Sequence, residues 1–335
     1  LADPRNTLPD GSSLPDGSRY PSIVTLVRTS NSYDKWLPAA TVAYDIGDLA
    51  VVRAAYSKTM TRPDPAAQLP GVGFGDPSAA TATIGNPALN PYFSDNLDFG
   101  VELYTGQEGL VSVNAFRKSL TGFTTNQITT QPFSFLAQYG ITYDSLNPTQ
   151  AAAIDLRGGP DVATIQVQSQ VNVPNKLTVN GLEFQWIQPL DFLTESIGVR
   201  GFGFNANATI VDQRSDGPAV AFGVAPFTYN LIGYYENGGV NLRVSTTFRE
   251  GSQSSGANQN GIPTAALFTD NYQQWDFSSS FDLEELFGWN GAPQLTVDVQ
   301  NFTNSTLGSY FQYEGATFTQ YRPGVQYLVG LRGTF

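Results

Sequence analysis

Period two runs through most of this chain. Near the C-terminus, Val325, Tyr327, Val329, Leu331 and Phe335 fall on one side of an extended segment, with Gln326, Gly330, Arg332 and Thr334 on the other. Successive side chains of a strand point to opposite faces, so this spacing predicts a strand with one apolar and one polar side. The same alternation sets Val240, Leu242, Val244 and Phe248 against Asn241, Arg243, Ser245, Thr247 and Arg249. It sets Leu295, Val297 and Val299 against Thr296, Asp298 and Gln300, and Leu97, Phe99, Val101 and Leu103 against Asp98, Gly100 and Glu102. Phe277 and Phe281 stand against Asp276, Ser278, Ser280 and Asp282. Weaker copies lie near 36–46, 49–60, 109–119, 177–188, 197–210 and 225–236, which makes about 11 or 12 windows. Some change register midway, as at Gly181, where a bulge is expected.

The connections between windows alternate in length. Ile46–Asp48, Thr105–Gly109, Pro189–Ser196, Glu236–Gly239 and Asp282–Ala292 are short or moderate. Thr61–Ser94, Leu120–Lys176, Asp212–Val224, Glu250–Asn271 and Ser305–Arg322 are longer. In an up-and-down barrel, alternate connections lie at opposite ends, so this pattern predicts short turns on one side and long loops on the other. Outer-membrane barrels have that asymmetry. A soluble β-sandwich has no reason for it, and its strands usually run only about 5–6 residues. Membrane strands need roughly 9–11. The expectation is therefore an all-β, antiparallel, up-and-down transmembrane barrel, present in part.

Composition narrows the chemistry. The 335 residues hold 17 Lys+Arg, 29 Asp+Glu, no His and no Cys, for a net charge of −12. That excludes a Ser-His-Asp triad, a Cys-His pair, a zinc–thiolate site and disulfides. The acidic balance opposes a nucleic-acid partner, which calls for clustered cations. No stretch of 18 or more apolar residues marks a membrane helix. Asp276 and Asp282, six positions apart on a strand, stand roughly 20 Å apart, too far for a glycosidase pair. No catalytic residue, metal or cofactor is expected. Asp76, Asp95 and Asp270 have no Ca²⁺-loop spacing.

Three sets of residues carry the remaining expectations. Glu102, Arg243, Arg249, Asp276, Asp298 and Arg332 are placed on the polar, lumen-facing side. The longest loop offers Phe133, Tyr139, Tyr143, Asp155, Arg157 and Asp161 as ligand contacts. Within it, Pro148 is expected near the start of a short helix. Loops this long are commonly functional. Trp36, Trp275, Tyr310 and Tyr313 near one end, and Tyr234, Tyr235 and Phe335 near the other, fit interfacial aromatic girdles. The Asn-Pro steps at Asn86-Pro87 and Asn90-Pro91 read as turn chemistry.

Several phrases resemble the C-terminal part of a TonB-dependent outer-membrane receptor. They are Tyr33 to Pro38 leading into Arg53 to Pro63, Gly85 to Pro91, Asn96 to Glu102, Phe116-Arg117-Lys118, Val179 to Phe184, Asn301 to Asn304, and the final strand ending in Phe335. The resemblance implies a 22-stranded barrel, a plug domain not contained in this chain, and energy-coupled uptake of a scarce nutrient such as an oligosaccharide or iron–siderophore. It implies residence in the bacterial outer membrane, contact with its lipid, and coupling to TonB–ExbB–ExbD through an N-terminal region outside these residues. Phe335 is expected to serve the barrel-assembly machinery as a recognition signal. Residues 1–335 then form one barrel portion, with outer loops near 61–94 and 120–176, and the abrupt start leads us to expect strands before Leu1. A passive porin, or a secreted β-sandwich binding module, is the alternative.

Overall fold

A computed structural model describes residues 28–106, 108–217, 219–256 and 265–333. Its main feature is a single eleven-stranded antiparallel sheet in which chain order is also spatial order. The strands are β1 (Ala39–Ile46), β2 (Ala50–Thr61), β3 (Tyr92–Tyr104), β4 (Leu110–Thr121), β5 (Leu177–Pro189) and β6 (Phe202–Ser215). They continue with β7 (Phe227–Asn237), β8 (Val240–Arg249), β9 (Tyr272–Asp282), β10 (Gln294–Gln300) and β11 (Gln326–Arg332). Each window of alternating polarity has become one strand of this wall. A short turn brings the second strand back beside the first in alternate pairs, and the long connections return the chain to the adjacent position in the others. Among the described residues, β1 and β11 each have only one ladder neighbour, so the wall is an open segment of a barrel.

Register carries the alternation across the whole sheet. Tyr44, Val52, Val101, Val113, Phe184 and Ala208 form one continuous cross-strand row. At the far side Val244, Phe277, Val299 and Tyr327 continue the same face. A slip of one residue in any pair would interrupt this face, so the apolar pattern itself fixes the register. The apolar side chains are not covered by protein. Val329 is 73% exposed and Tyr327 76%.

Gly181 is not a bulge. It pairs in unbroken register with Phe116 of β4 and Val211 of β6. The Phe116 ring occupies the space a Cβ would need. Glycine is there because a neighbouring aromatic lies across the backbone, which is the other reason a strand takes glycine.

The two ends of the wall differ. At one end the connections are tight: Gly47–Leu49, residues 105–109, Gly238-Gly239, and short helical turns at Asp191–Thr194 and Leu283–Phe287. Gly47 and Gly238 have φ of +58°, and Gly239 +75°, values that suit hairpin turns. At the other end the long connections fold into two small sheets. The first joins Val72–Gly73, Thr81–Ile84, Thr164–Asn172 and Thr124–Pro132. The second joins Gln253–Ser255, Leu267–Thr269, Leu307–Phe311 and Thr317–Tyr321.

The first small sheet has a core of its own. Ala79, Ala82, Ile84, Phe133, Leu136, Leu146, Ile154, Ala163, Ile165 and Val167 are buried together. Thr81–Thr83 pairs in parallel with Gln166–Gln168, so the two longest loops are one folded unit rather than two. A helix at Pro148–Leu156 lies over this core. Asn147 caps it, accepting from the Gln150 backbone N–H at 2.9 Å, and Pro148 fills the first turn.

Candidate functional site

The polar face of the wall and the loop unit above it hold the polar groups that a ligand could meet. Register places Glu102, Arg243, Arg249, Asp276, Asp298 and Arg332 all on the face opposite the apolar rows. Their surroundings differ. Glu102 accepts from Arg53 at 3.1 Å and from the Tyr104 hydroxyl at 3.0 Å. Asp276 accepts from the Gln274 amide at 2.8 Å and the Asn301 backbone N–H at 2.7 Å. Asp298 accepts from the Ser278 hydroxyl at 2.5 Å. Arg243, Arg249 and Arg332 make no ion pair among the described residues.

Uncharged polar residues fill the space between these charges. The Thr247 hydroxyl donates to Asn230 at 2.7 Å, and Asn230 donates to Asn207 at 2.9 Å across three strands. Asn230 uses both its donor and its acceptor, which holds its side chain in one rotamer. Period-two reading marks these positions only as polar, and carries no signal that they connect.

In the loop unit, the residues singled out from sequence take unlike positions. Phe133 is 1% exposed, at the centre of the core, with the Phe74 ring 6.1 Å from its own. Arg157 spreads its guanidinium over backbone carbonyls of Ala153, Thr164, Ser78 and Ala79 at 2.7–3.1 Å. It ties the helix, one strand and the facing loop together, using the fork geometry that lysine lacks. The Tyr143 hydroxyl donates to Asp155 at 2.7 Å, and that hydrogen bond to a carboxylate raises the phenol above its ordinary pKa. Tyr139 and Asp161 remain exposed. The structure therefore gathers all six into one unit, with Phe133 and Arg157 inside its framework and Tyr139 and Asp161 on its surface.

A pocket of about 660 Å³ with a mixed polar and apolar lining opens beside this framework, its polar groups coming from Asp76, Thr81, Thr130, Arg157, Thr164 and Gln166. Sequence reading placed Asp76 only among unspaced carboxylates. Its carboxylate accepts from the Ser78 hydroxyl at 2.7 Å and the Ser78 backbone N–H at 2.9 Å. It also accepts from the Thr81 hydroxyl at 2.9 Å. Partial burial alone would raise its pKa, but these hydrogen bonds to the charged form, with Ser78 foremost, lower it to about 2. Asp76, Asp95 and Asp270 lie in separate parts of the fold. Among the described residues no cluster of three or more metal-ligating side chains exists.

The aromatics of the loop end are partly engaged with one another. Tyr310 stacks on Phe268 with ring centroids 5.5 Å apart, and Trp275 lies 6.2 Å from Phe302. At the tight-turn end Tyr235 meets Phe202 at 4.8 Å. Trp36 and Tyr313 are exposed. Phe335 lies outside the described residues.

Comparison with known proteins gives this geometry a context. A family model described as TonB dependent receptor-like, beta-barrel matches residues 10–302. No curated protein matches the sequence. Among solved structures, a mutant of the ferric enterobactin receptor PfeA of Pseudomonas aeruginosa superposes with a TM-score of 0.59 at 12% identity, covering 90% of this chain and 40% of that one. The ferripyoverdine receptor of the outer membrane of Pseudomonas aeruginosa, bound to ferripyoverdine, gives 0.56 at 14% identity, covering 92% and 34%. The chain thus spans about two fifths or less of the length of these solved receptors.

Proposed function

Because the chain belongs to the TonB-dependent receptor β-barrel family, we propose that it forms part of the barrel wall of a bacterial outer-membrane receptor for energy-coupled uptake of a scarce, bulky nutrient. The observation that carries this reading is the segregation of the wall. One face carries a broad apolar band, the other is polar and hydrogen-bonded, and every long connection leaves from the same end. An open band of exposed valine, leucine and phenylalanine is unfavourable in water and favourable in lipid. The polar face then lines a lumen, and the loop end faces outward, where ligand arrives.

In this reading the six polar-face residues line the path of the cargo or meet a plug domain. Tyr139, Tyr143 and Asp161, with the pocket beside Arg157, form the outer contact surface. The cargo class is an iron–siderophore or an oligosaccharide. The solved neighbours are receptors for ferric enterobactin and ferripyoverdine, which favours the first class. The guanidinium groups of Arg243, Arg249 and Arg332, which make no ion pair among the described residues, favour it too, since they suit an anionic chelate. TonB–ExbB–ExbD supplies the energy, and the barrel-assembly machinery inserts the chain.

Uptake by the whole receptor in cells tests this. Labelled ferric siderophore should accumulate in wild-type cells and drop to background when TonB is deleted. Accumulation that persists without TonB would favour the passive porin instead. Orientation is tested separately, since the chain has no Cys. Asp161→Cys should react with an impermeant maleimide on intact cells and Asn237→Cys should not; the reverse result would invert the assignment of ends.

A further inference from the structure

Three Asn-Gly steps lie among the described residues: Asn180-Gly181, Asn237-Gly238 and Asn290-Gly291. An asparagine followed by glycine can react with itself, because no Cβ shields the glycine nitrogen from the side-chain amide carbon and the backbone turns freely there. What holds the two groups decides whether they meet, and the fold treats the three steps differently.

Asn180-Gly181 sits inside the wall. Gly181 is paired on both sides, with Phe116 and Val211, and the Phe116 ring lies across it. Its backbone cannot turn toward a side chain without opening the ladder. Asn237-Gly238 closes the hairpin between β7 and β8. Asn237 is still paired with Val240 there, and its side-chain amide donates to the Arg200 carbonyl at 3.3 Å. Among the described residues the Gly238 N–H meets no carboxylate.

Asn290-Gly291 lies in the connection from β9 to β10, outside any ladder. The Ala292 N–H donates to the Trp289 carbonyl at 2.9 Å, and Gly291 has φ of +75° while Asn290 has no positive φ. This is a type II turn with glycine at its third position. The N–H of that position has no partner inside such a turn. Here it donates to the Glu284 carboxylate at 3.2 Å. Glu284 belongs to the short helical turn Leu283–Phe287, which Asp282 fixes by accepting from the Glu284 and Glu285 N–H groups at 3.0 Å each. Asn290 is exposed, and its side chain makes no hydrogen bond among the described residues. One step of the three therefore joins an unheld side-chain amide, a glycine N–H outside any ladder, and a carboxylate already bonded to that N–H.

We propose that Asn290 is a self-modification site, converted to aspartate and isoaspartate with Glu284 as the general base. The Gly291 nitrogen bonds to Asn290 Cγ as its proton passes to the Glu284 carboxylate. The Cγ–Nδ2 bond then breaks, and ammonia leaves with that proton. Water opens the resulting five-membered imide at one of its two carbonyls. Opening at Cγ leaves aspartate. Opening at the former backbone carbonyl leaves isoaspartate, in which the chain runs on through Cβ and Cγ. Either product puts a new carboxylate near Glu284, and like charge then pushes the two apart.

Peptide mapping of the full-length receptor, kept folded in detergent at neutral pH and sampled over weeks, tests this. Aspartate and isoaspartate should build up at Asn290 about tenfold faster than at Asn237, and hardly at all at Asn180. Glu284→Gln keeps an acceptor for the Gly291 N–H but is a far weaker base, and should slow Asn290 about tenfold. The gap between Asn290 and Asn237 should close when the same protein is aged unfolded in guanidinium chloride. Equal rates at Asn290 and Asn237 in the folded wild type overturn the proposal, and so does an unchanged rate in Glu284→Gln. A gap that persists undiminished in the unfolded chain overturns it as well, since local sequence would then set the rate. The wild-type comparisons do not depend on any variant folding.

Discussion

The wall and the loop unit above it are both antiparallel sheet for most of their length, yet they dispose of apolar side chains in opposite ways. In the wall, valine, leucine and tyrosine point outward and stay exposed, as at Val329 with 73%. In the loop unit, Phe133, Leu136, Ile154 and Ile165 are buried to 1% or less. The loop unit is a small water-soluble fold with a core made from its own residues. The wall has no core and takes its apolar solvent from outside. One chain therefore satisfies two solvents, and stability in each part answers to different substitutions.

The largest separation should come from Phe133→Ala. Removing a fully buried phenylalanine costs about 3–5 kcal/mol. That loss should fall on the loop unit alone. Hydrogen exchange across Thr164–Asn172 should accelerate strongly, while the heat-resistant barrel band in electrophoresis remains. Loss of the barrel band would show that wall and loop unit are not separable.

The converse substitution strikes the wall. Val329→Arg puts a charge on the apolar face midway along β11 and should cost about 2–4 kcal/mol of assembly. Gln326→Arg, on the polar face, should cost little. Comparable assembly of the two variants, read from outer-membrane yield and heat resistance, would remove the assignment of faces.

The smallest effect belongs to Asp76. Its carboxylate is stabilised in the folded state, with a pKa of about 2 against an ordinary 3.8. A lowered folded pKa gives stability that is fully present above pH 3.8 and is lost as pH falls toward 2. Because the group is largely solvated, the contribution discounts to about 1 kcal/mol. Asp76→Ala should loosen Thr81–Ile84 by that amount at pH 7, and wild type and variant should converge near pH 2. A constant difference from pH 7 to pH 2 would mean the hydrogen bonds at Asp76 are not the cause.

Much of the wall was legible in the sequence because its one structural rule, period two, repeats in each strand and its loops alternate in length. The helix at Pro148 was legible for a local reason: Asn147, Pro148 and Gln150 are a cap, a first-turn residue and a capping partner in sequence. Gly181 was misread because a bulge and an aromatic cover look alike in one strand. Only the cross-strand partner, Phe116, tells them apart. The loop unit was not legible. Its decisive contact pairs the four-residue strand Thr81–Ile84 with a segment far along the chain, and a strand so short has too little alternation to announce a partner. Arg157 stood out as a charge in an aromatic loop, a signal that cannot distinguish a ligand contact from a backbone clamp.

The parallel pairing of Thr81–Thr83 with Gln166–Gln168 also sets an order of events. In a free chain that pairing must close a very long loop before it gains anything. The entropic cost rises with length, by about 0.6 kcal/mol for each doubling. Once β2 to β5 have zipped together, both long connections are already tethered at their ends and the remaining search is local. The wall is thus the template on which the loop unit completes itself, and non-local pairings of this kind form slowly and late. Until the wall stands, Thr81–Thr83 and Gln166–Gln168 have no fixed partner to fold against.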